Sequence, residues 1–311
     1  MTVTQARPEP IPAPSIRVQL LRDGDLPQLR PLLDADPVTN AVVAARVEAT
    51  ASTDPGVIGG RLVGAFLGSR LVTAWFNGGN LIPLAPGRAV LADPRRRQHY
   101  QAAELALADW LAARARTCSA IVGPSDVVAR VWGRLGRCWG AARLVRPCQL
   151  LLVIDRPTAA ARRFERRYES SLRLARPGDL DAYLPAAAAM FSEELAASPY
   201  ERMGQPEYRA RLSTLIDQER VLLCRDRDGA VLFKAELAAV SAATVQVQGV
   251  WVRPDRRGRG LGTAAMAHVL AGALRLAPTA SLYVNDFNAT ARRMYARLGM
   301  TEVGRLATVL F

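Results

Sequence analysis

Residues 249–263, Gly-Val-Trp-Val-Arg-Pro-Asp-Arg-Arg-Gly-Arg-Gly-Leu-Gly-Thr, limit what this chain can fold into more than any other stretch. An apolar strand runs into a loop with glycine at 258, 260 and 262, and an alanine-rich amphipathic stretch follows at once. Glycine lets a backbone adopt positive φ and come close to a ligand. A helix N-terminus adds unpaired N–H groups and the positive end of a dipole. Strand, glycine loop and helix in that order predict a cradle for phosphate.

Three readings compete for the loop. A P-loop needs Gly-Lys-Ser/Thr, which is missing. A dinucleotide site needs GxGxxG inside a parallel unit with an acid about 20 residues on. Asp286 stands at a suitable distance, but the spacing is Gly-x-Gly-x-Gly and the strands before it read as an antiparallel meander. A tight turn with its arginines in solvent is the bland alternative.

The rest of the chain reads as two halves with a similar order of elements. In the second, a strand at Leu172–Ala175 precedes a helix opened by Pro177-Gly178-Asp179 and running to about Ala197. A helix over 206–218, strands at 221–224, 231–240 and 244–252, and the loop with its helix to Leu276 come next. A strand at 281–284, a helix from Asn288 to Leu298 and a last strand to Phe311 complete it. The first half has a strand at Ile16–Leu21, a helix opened by Asp23-Gly24-Asp25-Leu26 and a hairpin through Gly68-Ser69. A helix over 101–114, a strand at 120–122, a helix over 126–135 and a strand at 149–154 follow. Residues 127–136 echo 290–299, with Trp132 opposite Tyr295, which suggests a duplication. In place of the glycine loop the first half has Asp93-Pro-Arg-Arg-Arg-Gln-His-Tyr100, without glycine. The expected division is a disordered tail over 1–15, an N-terminal domain over 16–155, a polar linker over 156–170 and a C-terminal domain over 171–311.

Composition narrows the function classes. The formal charge of +13 over 311 residues comes almost wholly from arginine spread along the chain, with Lys234 the only lysine. Nucleic-acid binding wants a concentrated basic stripe with interleaved aromatics, so no nucleic-acid partner is expected. The four cysteines have neither CxxC spacing nor a histidine cluster beside them, so neither a metal nor disulfides are expected. The proline-rich start lacks the apolar core of a signal peptide, and no run is long enough to span a bilayer. A cytoplasmic protein with no membrane partner is the expectation.

Arg257-Gly-Arg-Gly-Leu-Gly262 resembles the Arg/Gln-x-x-Gly-x-Gly/Ala signature of the GNAT family of acetyltransferases, and Val250-Trp-Val-Arg-Pro resembles that family's fourth strand. Leu282-Tyr-Val-Asn-Asp-Phe-Asn-Ala-Thr-Ala-Arg-Arg-Met-Tyr-Ala-Arg-Leu-Gly-Met300 resembles its second signature. The resemblance covers about residues 170–311. The whole chain resembles actinobacterial two-domain members with an N-terminal domain of unknown function, and more distantly mycothiol synthase. It implies an α/β fold with a mixed sheet, built as tandem GNAT-like domains of which the N-terminal one is degenerate.

The resemblance also implies a site. The backbone around Arg257, Gly258, Arg259, Gly260, Leu261, Gly262 and Thr263 would hold the pyrophosphate of acetyl-CoA, and the pantetheine arm would lie along Val250, Trp251 and Val252. Asn285 and Asn288 would border the cofactor. Tyr295 matches the tyrosine that protonates the departing thiolate. A glutamate that some members place on the fourth strand is replaced by Gln246. The base is therefore sought at Glu236, with Glu193, Glu194, the terminal carboxylate of Phe311 and a water relay as alternatives. The implied activity is acetyl transfer to an amine of a small molecule, peptide or protein. An acyl-CoA sensor without turnover and a mycothiol synthase-like transferase are the rivals. Assembly as a homodimer is left open.

Overall fold

The computed structural model describes residues 15–165, 172–195 and 197–311. Residues 1–14 of the expected tail and 166–170 of the expected linker lie outside them.

In the first half, β1 (Ile16–Leu20) leads to α1 (Leu26–Asp34), α2 (Ala41–Thr50) and the single turn α3 (Pro55–Ile58). β2 (Arg61–Leu67), β3 (Arg70–Asn77) and β4 (Asn80–Pro83) form a meander that continues into α4 (Arg88–Ala92) and α5 (Pro94–Ala112). β5 (Ala120–Pro124), α6 (Ser125–Trp139) and β6 (Leu144–Ile154) end that half. Within the expected linker, α7 (Ala159–Glu165) is a helix that buries Ala161 among core residues of the second half.

The second half repeats the order. β7 (Leu172–Leu174) precedes α8 (Leu180–Leu195) and α9 (Pro199–Asp217), which is broken at Gly204 (φ 71°, ψ 159°). β8 (Val221–Arg225), β9 (Val231–Val240) and β10 (Thr244–Val252) form its meander. α10 (Leu261–Leu276), β11 (Thr279–Asn285), α11 (Ala289–Leu298) and β12 (Thr301–Leu310) complete it.

The duplication extends to backbone detail. Each first helix is entered through a 3-10 turn whose aspartate reaches back to the chain before it. The Arg22 N–H donates to Asp25 Oδ2 at 2.9 Å and the Arg176 N–H to Asp179 Oδ2 at 2.8 Å. Such a reciprocal cap satisfies donors that a helix start leaves open. Asp179 goes further, pairing with Arg173 at 2.6 Å and Arg225 at 2.7 Å. The hydrogen bond from Arg173 is the main cause that holds its carboxyl far below the ordinary range.

All the strands join one twelve-stranded mixed sheet in the order β1-β2-β3-β4-β5-β12-β6-β11-β10-β9-β8-β7. The last strands of the halves are exchanged. β6 pairs antiparallel with β11 of the second half, and β12 pairs antiparallel with β5 of the first. Alternation along a strand explains the seating. Leu150, Leu152 and Ile154 of β6 enter the core around α10 and α11, whereas Ala307 and Val309 of β12 enter the core around α5 and α6. Fully burying a leucine or isoleucine contributes about 1.5–3 kcal/mol, so each core draws part of its stability from the other half's chain.

Asp179→Ala should cost about 2–3 kcal/mol at neutral pH, because it strips a buried acceptor from two arginines and an N–H. A depressed carboxylate contributes stability above its unfolded pKa and loses it as pH falls towards the folded one. The gap between variant and wild type in urea unfolding should therefore narrow as the pH drops below the usual carboxylate range.

Candidate active site

The cleft begins where two strands part. β10 and β11 pair in parallel only at Thr244–Thr279, Val245–Ala280 and Gln246–Ser281. Beyond Gln246 they run on to Val252 and Asn285 without pairing and leave the edge of β10 open. On its other side β10 carries a bulge. Gln248 faces Glu236 and Trp251 faces Lys234, so Gly249 and Val250 together stand opposite Ala235. Gly249 has φ +60°, the left-handed start of one bulge class.

The glycine loop closes one end of the cleft. Gly258 and Gly260 have φ of +72° and +85°, and Gly260 is the N-cap of α10. No side chain caps that helix. A Cβ on either glycine would meet nothing within 4 Å, so conformation rather than crowding selects glycine here, and the space above the helix head is open. Gly262 differs, since its Cβ would lie 3.1 Å from Val252 Cγ2 and 3.5 Å from Met294 Sδ. That close approach seats α10 against β10 and α11.

Arg257 ties the loop to α8. Its Nε donates to the Val252 carbonyl at 2.9 Å and its guanidinium pairs with Glu193 at 2.7 Å. The other Glu193 oxygen accepts from Trp251 Nε1 at 3.1 Å. Both partners of the ion pair are close to half exposed, so it is worth less than about 1 kcal/mol and a ligand can displace it.

Tyr295 is buried on α11. Burial, with the charge of Glu194, pushes its pKa well up, so it keeps its proton. Asn288 is the N-cap of α11, its Oδ1 accepting from the Ala291 N–H at 3.1 Å, and Asn285 accepts from Gln149 of β6 at 3.0 Å.

The carboxylates divide sharply. Glu236, the expected base, is buried, and one of its oxygens takes both Lys234 Nζ and the Tyr183 hydroxyl at 2.6 Å. Burial alone would raise its pKa, but the Lys234 charge, with the bonds from Lys234 and Tyr183, outweighs that and lowers it. An ion-paired, acid-shifted carboxylate is ill suited to take a proton. Glu194, at the exposed end of α8, is raised instead, chiefly by partial loss of hydration around its carboxyl and further by the charges of Glu236 and Glu193, against the pull of Arg146 and Lys234. Phe311 is remote from this role, because its ring stacks on Trp132 and Trp139 in the first half.

Sequence reasoning passed over Arg143, Arg146 and Gln149, all on or beside β6. The guanidinium of Arg146 bonds the Glu194 carbonyl, and Arg143 bonds that of Leu195 at 3.2 Å, so the first half closes the end of α8. Only the strand exchange brings them there. Lys234 was findable, since the sole lysine stands two residues from Glu236 on a strand and so shares its face.

Residues 188–300 match the family model described as Acetyltransferase (GNAT) family. Residues 188–300 are thus a GNAT-family acetyltransferase domain. Residues 60–183 match a domain of unknown function, DUF4081. No curated protein matches the chain at a significant level. Solved structures share the fold over both halves. A Drosophila protein superposes with TM-score 0.59 at 12% identity, covering 94% of this chain and 98% of its own. A GNAT-family acetyltransferase from Colwellia psychrerythraea gives 0.52 at 13%, covering 95% and 99%. A GCN5-related N-acetyltransferase from Sphaerobacter thermophilus gives 0.52 at 17%, covering 95% of both chains.

The fold class is thus as expected, and the N-terminal GNAT-like half is closed where the acetyltransferase half is open. β4 and β5 also part after two register pairs, Asn80–Ala120 and Leu81–Ile121. There, however, the buried Asn40 amide takes both the N–H of Ala85 at 2.8 Å and its carbonyl at 3.3 Å. The helix that corresponds to α10 is capped from within, because Asp93 Oδ1 accepts from the N–H groups of Arg95 and Arg96 at 2.9 and 3.1 Å. A side-chain carboxylate already holds the position an anion would take.

Among the described residues no group of His, Cys, Asp and Glu is placed to hold a metal, and no helix is long and apolar enough to cross a membrane.

Two glycines of α10 should respond oppositely to alanine. Gly260→Ala forces a left-handed alanine and should cost about 1–2 kcal/mol. Gly272→Ala, in mid-helix with only a 3.6 Å contact to Arg275, should stabilise by about 0.5–1 kcal/mol. Thermal unfolding of both variants checks the pair.

Proposed function

We propose that residues 171–311 are the catalytic half and move an acetyl group from acetyl-CoA to an amine by direct attack. Residues 16–155 form the supporting half, and 156–170 link the two. The observation that carries this reading is the uncapped head of α10, opened by left-handed Gly258 and Gly260, beside the unpaired edge of β10.

In this reading the N–H groups from Arg259 to Thr263 take the pyrophosphate, aided by the helix dipole. The pantetheine arm pairs with the edge of Val250–Val252 once Arg257 gives up the Val252 carbonyl, and Trp251, Asn285 and Asn288 border it. The Val250 N–H polarises the thioester carbonyl and steadies the oxyanion. The amine nitrogen attacks the carbonyl carbon, and its proton passes to Glu194. The C–S bond then breaks, and the thiolate takes the Tyr295 proton. Glu194 suits a base because its raised proton affinity lies closer to neutral pH than that of a free carboxylate. Glu236 is held by Lys234 and Tyr183 for another purpose. The supporting half shapes the acceptor side through Arg143, Arg146 and Gln149.

CoA release measured with a panel of amines tests the reading. Saturable CoA binding with no turnover on any amine would favour a sensor instead. Tyr295→Phe should lower kcat about 100-fold or more, the usual scale for losing a general acid, with little change in CoA affinity. The rate should rise with pH as Glu194 sheds its proton through its raised pKa. In Glu194→Gln that limb of the kcat profile should disappear, and an unaltered profile would remove Glu194 from the mechanism.

A further inference from the structure

Lys234 and Glu236 form an ion pair that acetyl transfer does not call for. Lys234 is 0% and Glu236 5% exposed. Tyr183 donates to the same Glu236 oxygen as Lys234, Gln248 Nε2 lies 3.4 Å from the other, and the ammonium sits 5.4 Å from the Tyr183 ring centroid. Burying two charges costs several kcal/mol, and well-packed apolar replacements of such pairs are often as stable or more so. Stability alone is a poor reason to put the only lysine of the chain here.

The placement supplies a better one. Glu236 and Lys234 face Gln248 and Trp251, the residues on either side of the bulge. A Cβ on Gly249 would lie 2.9 Å from the Glu236 carboxyl carbon and 3.0 Å from Lys234 Nζ. The pair therefore fills the space beside the bulged residue and leaves room only for glycine. Without the bulge, Val250 would face Lys234. A slip of one residue turns every later side chain to the other face of the sheet.

We infer that the Lys234–Glu236 pair, held by Tyr183, is the positioning element that keeps the Gly249 bulge and so aims the Val250 amide into the cleft. The inference rests on the acyl-transfer reading for the use made of that amide, but not for the bulge itself.

The double variant Lys234→Met/Glu236→Leu tests it, since it removes both charges and leaves neither uncompensated. Its crystal structure with CoA should show β10 in regular register with β9. Its kcat should fall about 100-fold, the scale of one lost oxyanion donor, and by far more than CoA affinity measured by calorimetry. Gly249→Ala, with the pair intact, should show the same split between kcat and affinity and decides the matter if the double variant does not fold. A bulge that persists in the double variant, turnover that is unchanged, or CoA affinity that falls in step with kcat would each overturn the inference. If the wild type itself acetylates no amine, the acyl-transfer reading falls, and the register of β10 alone then decides whether the pair holds the bulge.

Discussion

The parting of β10 from β11 after Gln246 is the constraint on which the rest of the site depends. Paired strands satisfy their own backbone groups, and a strand that loses a neighbour must find other partners or meet solvent. Here the open edge runs from the bulge at Gly249 to Val252, directly beside the uncapped head of α10. Backbone groups along the edge, where Arg257 covers the Val252 carbonyl, and the open N–H groups at the helix head make one continuous polar track. A ligand that carries both amides and phosphates fits such a track, and no charged side chain has to supply the contact.

The first half shows what the same architecture does when that track is closed. Its strands part as well, yet the Asn40 amide covers Ala85 and the Asp93 carboxylate covers the head of α5. Each replacement imitates part of a ligand, an amide in one place and an anion in the other. The two halves thus share a fold and differ in whether its open valences are met from inside. Across the sheet the first half lends Gln149 against Asn285 and two arginines at the end of α8.

Much of this was legible in the sequence where a local rule sufficed. The glycine spacing located the loop, the helical period located α8, α10 and α11, and the absence of glycine at 93–100 marked the closed half. Boundaries drifted where a cap overrode the apolar pattern. α5, expected from residue 101, starts at Pro94 because Asp93 caps it. The short strand β4 and the turns α3 and α4 are too short to show a period. Which carboxylate suits a base could not be read, because Glu236 and Glu194 are the same residue type and differ only in neighbours that lie far apart in sequence. Lys234 and Tyr183 hold the first in its charged form, whereas partial loss of hydration and two neighbouring carboxylates raise the pKa of the second. The exchange of β6 and β12 was equally hidden, since both strands look the same whichever fifth strand they join.

That exchange bears on how the chain can come to be folded. The first core lacks Ala307 and Val309 until β12, far along the chain from α5 and α6, has been made, so the N-terminal half cannot complete its core before the second half has emerged. Contacts of such long sequence separation slow folding. They also bind the halves into one cooperative unit, in which local opening of either core is felt in the other. A chain joined in this manner cannot lose either half without unmaking the core of the other.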